Sequence, residues 1–180
     1  DLQCIEGVVP TDMDGFVFIN SPVGTVNSST PIPKKNPDGT DNPEWGQMVF
    51  NGDGMLFRFD CSEPGKVRVK SALLKTPCYY ADEASKWGTD NYKNGIFFKS
   101  KGIARTSPIL GSRNQANTSI AAFKFPGNQH TRITVNFDAG RPFEVDPKSM
   151  KVITAIGFNK EWSESLSFVI QEDVFELIQS

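Results

Sequence analysis

The sequence predicts an all-β fold, and three observations carry that reading. Short runs rich in β-branched and aromatic residues recur, among them Phe16-Val17-Phe18-Ile19-Asn20 and Met55-Leu56-Phe57-Arg58-Phe59. Turn-forming sequence separates those runs, and the chain holds 15 Gly and 12 Pro to supply it. Finally, 14 Phe among 180 residues need a buried surface, although a hydrophobic content of 38% is low for a closed globular domain. Short strands and turns at this spacing fit a sandwich, a barrel or a propeller. No repeat of fixed period singles out the propeller.

Taken in order, Phe16 to Asn20 follows an Asp14-Gly15 turn and reads as the first strand. Residues 21 to 47 are rich in Pro, Gly, Ser, Thr and Asn. They read as a long surface loop, with room for a brief strand. Met48-Val49-Phe50 then enters a turn at Asn51-Gly52-Asp53-Gly54, and Met55 to Phe59 leaves it. Glycine tolerates the positive φ of tight turns, so this is a strong hairpin signal. Lys66-Val67-Arg68-Val69-Lys70 alternates charge with valine, as a strand with one wet face does. The polar stretch 81 to 95, with Trp87, Tyr92 and Gly95, reads as a short helix or a loop. Asn117 to Phe125 and Thr131 to Phe137 pair as a hairpin around Pro126-Gly127-Asn128-Gln129. Pro142 to Pro147 and Val152 to Ile156 bracket a further turn. In the tail, Leu166, Val169, Ile170, Val174, Leu177 and Ile178 recur at helical spacing. Phe168-Val169-Ile170 and Phe175-Glu176-Leu177-Ile178 serve equally as strands, so both assignments stay open.

Bulk properties narrow the function classes. The formal charge of −2 and the lack of a basic run give no electrostatic footprint for nucleic acid, which is not an expected partner. Lys34-Lys35 is a short pair among prolines and reads as a solvated loop. No apolar run approaches the roughly 18–20 residues of a membrane span. Asp1-Leu2-Gln3-Cys4 lacks the basic start and apolar core of a secretory signal, so a cytoplasmic or peripheral-membrane location is expected. Cys4, Cys61 and Cys78 form neither an even disulfide set nor a metal spacing. They read as free thiols in a reducing compartment. Asn27-Ser28-Ser29 and Asn117-Thr118-Ser119 match the glycosylation acceptor pattern, which often arises by chance.

Read locally, the polar motifs have plain explanations. Gly52-Asp53-Gly54 lacks the glycine spacing and the Lys-Ser/Thr of a phosphate loop, and Asp53 with Asp60 lacks EF-hand spacing. A structural turn is what remains. Asn117-Thr118 alone is an exposed polar pair on a strand, and Asp138 alone is a turn aspartate capping a strand end. His130, the single histidine, falls at a hairpin tip and reads as an ordinary surface residue. One histidine builds neither a metal site nor a Ser-His-Asp or Cys-His arrangement.

Several segments, however, fall in a meaningful order. They are Gly7-Val8-Val9-Pro10, Asp14-Gly15-Phe16, Phe50-Asn51-Gly52-Asp53-Gly54-Met55, Asn117-Thr118-Ser119, and Asp138-Ala139-Gly140-Arg141-Pro142 running on to Pro147. In that order they resemble the N-terminal part of the carotenoid cleavage oxygenases. The resemblance runs from about Gly7 to Trp162 and continues weakly to Ser180. It implies a seven-bladed β-propeller, with residues 1–180 as the N-terminal portion of a single propeller domain that this chain alone does not close. It also implies a non-haem iron(II) dioxygenase that uses O2 to cleave a conjugated C=C bond. The substrate would be a carotenoid, an apocarotenoid or a stilbene-like molecule, and two carbonyl products would result. In that family four neutral histidines hold the iron. With one histidine, this chain supplies no such metal site, and Fe(II) is expected only in a full-length parent. The implied partners are O2, an apolar polyene, the remainder of the propeller or a complementing chain, and a membrane surface. The alternative is a non-catalytic propeller scaffold or interaction subunit that has lost the iron.

The resemblance also assigns residues. Thr118 matches a threonine that stands close to the iron on an inner strand, beside a position the histidines leave open. Its implied role is steric, with the methyl shaping access of O2 or substrate while the hydroxyl stays bonded to the backbone. Asp138 precedes a Gly-x-Pro segment where the family has a glutamate that backs a metal-bound histidine, a partnership that fixes tautomer and orientation. The shorter aspartate needs a backbone shift of about 1 Å to make that bond, enough to matter at a positioned site. Gly52, Asp53, Gly54, Met55 and Asn117 are the structural motif. Met48 stands where many members carry a histidine that is not an iron ligand. In bacterial members, sequence like Phe175-Glu176-Leu177-Ile178-Gln179-Ser180 leads into Thr-Ala-His-Pro, which carries the first iron ligand. An N-terminal portion of a longer protein is therefore expected, with sheet edges and apolar faces left open in isolation.

Overall fold

Alternation along the strands decides how the chain layers. The structure, a computed structural model, describes residues 4–23, 32–43, 45–46, 52–98, 105–127, 129–158 and 161. A first antiparallel sheet joins β1 (Phe16–Val23), β2 (Asp53–Asp60) and β3 (Arg68–Leu73) in the order β1-β2-β3. Asn20, Leu56 and Ala72 lie in one cross-strand row, and Ile19, Phe57 and Ser71 in the next. Successive rows point to opposite faces. Leu56 is fully buried at the middle of one face, while Val17 and Ile19 on the other face remain 51% and 49% exposed.

The chain then crosses through α1 (Pro77–Ala84) and α2 (Asp90–Lys93). Each helix starts on a threonine. Thr76 Oγ1 accepts from Tyr79 N at 3.3 Å, and Thr89 Oγ1 accepts from Tyr92 N at 3.2 Å. Both threonines satisfy amide donors that a helix start leaves open. Proline at the first position of α1 lacks a donor that would be orphaned there anyway. Cys78, Ala81 and Phe98 form a small apolar cluster on this crossing. A short hairpin of β4 (Thr106–Ser107) and β5 (Gly111–Ser112) follows.

A second, four-stranded sheet runs β6 (Ser119–Phe123), β7 (Arg132–Phe137), β8 (Gly140–Val145) and β9 (Val152–Ala155), each strand antiparallel to the next. Ile120, Val135, Phe143 and Ala155 form one row, and Ala122, Ile133 and Val145 form another on the same face. That face meets the Leu56 face of the first sheet in one core of Leu56, Leu74, Ala116, Ile133, Val135, Phe143, Val145 and Met150. Each large aliphatic or aromatic side chain buried there contributes about 1.5–3 kcal/mol. The opposite face is mixed, with Ala121 and Phe123 among polar residues, and carries the ion pair of Arg132 with Glu144, Nε to Oε1 at 2.6 Å.

The expected all-β character therefore holds, with the two short helices in and beside the 81 to 95 stretch. The hairpin expected around Asn51-Gly52-Asp53-Gly54 is corrected. Asp53 and Gly54 lie inside β2, opposite Val23 and Pro22, and the partners of β2 are β1 and β3. The glycine at 54 answers to crowding. A Cβ there would sit 2.3 Å from the Ala116 carbonyl oxygen, and Gly54 has no positive φ. Met48 to Asn51 lie outside the described residues, as do Asn27 and the tail segments from Leu166 to Ser180. The strand expected at Lys66 to Lys70 begins two positions later at Arg68, because Lys66 and Arg68 both turn to Glu63 beside the Gly65 turn.

Candidate functional site

Residues 113–117 enter β6 without regular structure, and all five are buried. Such a segment must satisfy its backbone groups elsewhere, and several of them find partners distant in sequence. Thr76 Oγ1 donates to Asn114 O at 3.2 Å, and Asn114 N donates to Cys78 Sγ at 3.3 Å. Gly54 N donates to Gln115 O at 2.9 Å. Asn20 Nδ2 donates to Ala116 O at 2.8 Å. Asn117 Nδ2 donates to Gly52 O at 2.7 Å. Ala116 holds a left-handed backbone at φ 50°, which costs a non-glycine residue about 1–2 kcal/mol. Bonds on either side keep it there.

Charge closes the assembly. Arg113 lies between two buried aspartates, with Nη2 to Asp53 Oδ1 at 2.6 Å and Nε to Asp82 Oδ2 at 2.5 Å. Arg105 Nη1 binds the other oxygen of Asp82 at 2.9 Å. Two guanidiniums thus meet two carboxylates, joining β2, α1 and the β4–β5 hairpin. Burial pushes the Asp53 carboxyl up to about 6, with Arg113 pulling it down and the Asp82 charge adding to the rise. Burial also raises Asp82, against the opposing pull of Arg113 and Arg105. The Cys78 thiol is raised by its burial, which leaves little nucleophilic thiolate.

This clasp brings together two motifs about sixty residues apart in sequence. Gly52, Asp53 and Gly54 dock on Arg113, Gln115 and Asn117. Met55 follows them in β2, opposite Ser21 and Leu73. Asn117 is therefore a buried structural residue, not the exposed polar position its sequence indicates. Its amide is engaged, which removes it as a glycosylation acceptor in the folded chain.

Thr118 and Asp138 sit at one end of the second sheet. Thr118 N donates to Asn136 O at 3.1 Å, and Asp138 follows two residues after Asn136. Phe137 pairs with Gly140, so Asp138 and Ala139 form a two-residue turn beside a β-bulge. Both Thr118 and Asp138 are exposed. The Thr118 hydroxyl lies 3.4 Å from Asn117 Oδ1, a side-chain partner where a backbone one was expected. His130 is exposed on the β6–β7 connection.

Among the described residues no group of three His, Cys, Asp or Glu could hold a metal ion. A four-histidine iron centre therefore does not fit this chain's own residues, which include one histidine. Arg105, Arg113, Asp82 and Asn114 were not legible as site residues. Their partners lie 23 to 60 positions away, and the run Arg113-Asn114-Gln115 looks like solvated loop.

Two antiparallel meander sheets that share one core, with a buried polar clasp feeding the first strand of the second sheet, make this a mostly β protein. A family model described as retinal pigment epithelial membrane protein matches residues 1–171, and the chain belongs to that family. Apocarotenoid-15,15'-oxygenase of Synechocystis sp. is 26% identical over 154 residues, which is 84% of this chain and 27% of that protein. The chain thus spans about a quarter of its relative's length. Among solved structures, a Glu-to-Asp variant of the Synechocystis apocarotenoid oxygenase matches with a TM-score of 0.55 and 24% identity, over 91% of this chain and 30% of that one. The cobalt-substituted Synechocystis protein matches with a TM-score of 0.51 and 20% identity, over 83% of this chain and 27% of that one. Both likenesses speak to the fold. No helix among the described residues is long and apolar enough to cross a membrane.

Proposed function

We propose that this chain is the N-terminal portion of a seven-bladed propeller enzyme that cleaves a conjugated C=C bond of a carotenoid, apocarotenoid or stilbene-like substrate with O2. The observation that carries this reading is the family match along residues 1–171. Its similarity to an apocarotenoid oxygenase over 84% of its length supports the substrate class. Iron(II) would belong to the remainder of the parent. This chain's contribution is a rigid wall, in which the clasp fixes the lead into β6 and presents Thr118 beside the Asp138 turn. Thr118 would shape access of O2 and polyene to the reacting centre. Asp138 would back a histidine supplied from elsewhere in the parent.

The apolar face of the first sheet on which Val17 and Ile19 are about half exposed supports a partner of like architecture. Val17, Ile19, Phe57, Phe59 and Val69 share that face, and the remainder of the propeller or a complementing chain would cover it. Peripheral contact with a membrane surface is carried over from the family resemblance alone.

One observation favours a second reading, a scaffold subunit without iron. Asp138, where the family has glutamate, is an exposed turn residue of short reach. Iron analysis of the full-length protein, together with product analysis after incubation with an apocarotenal in air, separates the two. About one iron per molecule and two carbonyl fragments support the enzyme. Absence of both supports the scaffold.

A further inference from the structure

One side chain touches both halves of the candidate site. Asn114 Oδ1 accepts from Ala116 N at 3.0 Å, inside the segment that leads to Thr118. Its Nδ2 donates to Arg141 O at 2.8 Å, at the far side of the Asp138 turn. Asn114 is buried, and Gly140 is the residue that lets it approach. A Cβ on Gly140 would stand 2.6 Å from Asn114 Nδ2 and 3.3 Å from its Cγ. Arg141 is tied on outward, with Nη1 donating to Gly157 O at 2.9 Å. A planar amide with both ends engaged has one orientation, which makes it a rigid spacer.

We infer that Asn114 is a positioning residue that sets the Asp138 turn at a fixed distance from Thr118, with Gly140 as the surface against which it is gauged. The inference deepens the proposed oxygenase reading and rests on it for the roles of Thr118 and Asp138. Asn114 is not a catalytic residue. It acts through the two backbone groups it holds. Its neighbours anchor it in turn, since Arg113 is locked between Asp53 and Asp82, and Thr76 holds the Asn114 carbonyl.

The test uses the full-length protein carrying Asn114→Ala, Gly140→Ala, both together, and Asp138→Ala. Amide hydrogen exchange over residues 136–142 gives a readout independent of turnover, and an apocarotenal gives kcat and KM. Asn114→Ala should speed exchange in the Asp138 turn about tenfold. It should lower kcat about tenfold with KM within about twofold, as misplacement of a positioned group does. Gly140→Ala should do the same from the other side, and it stays informative if Asn114→Ala fails to fold. The paired variant should be no worse than Asn114→Ala alone, because the added methyl then meets space. Unchanged exchange in both single variants, or strictly additive losses in the pair, overturns the inference. So does a loss of turnover in Asp138→Ala with none in Asn114→Ala. Faster exchange as expected, with turnover untouched even in Asp138→Ala, supports the contact and overturns the functional reading.

Discussion

Between the two sheets, Leu56, Ile133, Val135, Phe143 and Val145 are buried against apolar neighbours, whereas Asp53, Asp82, Arg105 and Arg113 are buried against one another. Both regions are buried, and they answer to different physics. Apolar burial is non-directional, so the core accepts any good filling of its volume. The clasp is directional. Each guanidinium must meet its carboxylate, and the penalty for stranding one charge exceeds the benefit of the pair. The core holds the sheets together, while the clasp decides where one irregular segment lies.

The largest effect should come from breaking the clasp on one side only. Arg113→Ala leaves Asp53 buried without its guanidinium, and Asp82 with Arg105 alone. A loss of about 3–5 kcal/mol is expected in urea unfolding of the full-length protein. Adding Asp53→Ala to it should cost less than the sum of the single losses, since the second change removes the stranded charge. An additive result would mean that the two residues act separately.

In the core, Leu56→Ala should cost about 2–5 kcal/mol through lost burial and the cavity left behind. Leu56→Met keeps volume and shape class, so it should lose less than about 1.5 kcal/mol. Arg113→Lys keeps charge but cannot reach Asp53 and Asp82 with two separate nitrogens of one planar group, and it should remain strongly destabilised. Thermal midpoints of the two conservative variants, measured side by side, check this.

This difference also explains what the sequence made legible. Thr131 to Phe137 and Pro142 to Pro147 are short runs bounded by turn residues, a local pattern that matches β7 and β8, whereas the core face shared by Ile133, Val135, Phe143 and Val145 is a feature of the folded sheet. Gly52-Asp53-Gly54 has the local pattern of a hairpin turn, yet Asp53 and Gly54 lie inside β2. Its glycine serves a carbonyl from Ala116, a neighbour that no local pattern discloses. Thr118 and Asp138 entered through family resemblance, and Asn114 through neither route. Asn is common in loops, and its two bonds become visible only when β6 and the β7–β8 turn are side by side.

A third test uses pH. Asp53 titrates near 3.8 when unfolded and is pushed up to about 6 by burial when folded. Between those values the folded chain binds more protons than the unfolded one, so this group's contribution to stability falls as pH rises through about 6. From about pH 5 to about pH 7.5 the loss should be on the order of 1 kcal/mol. Asp53→Asn removes the titrating group, so its stability should change less across that window. Parallel curves for the two proteins would show that Asp53 titrates normally. The core variant Leu56→Ala should run parallel to the wild type, which confines the effect to the clasp.

The smallest effect on stability should fall on the residue to which the proposed function gives the most exposed task. Thr118 is exposed, and its hydroxyl makes a long contact to Asn117 Oδ1 at 3.4 Å. Its place is fixed through its backbone, by the bond from Thr118 N to Asn136 O and by the anchored residues before it. Thr118→Ala should therefore shift stability by less than about 0.5 kcal/mol. Removing Oγ1 and the methyl while the backbone stays in place isolates the side chain's steric part. On the proposed reading, turnover of an apocarotenal in the full-length protein should change while unfolding does not, and Thr118→Val, which restores the shape without the hydroxyl, should recover it. Loss of stability in Thr118→Ala would instead make Thr118 part of the clasp. Unchanged turnover in both variants would remove Thr118 from the site and leave the clasp as a device for folding alone.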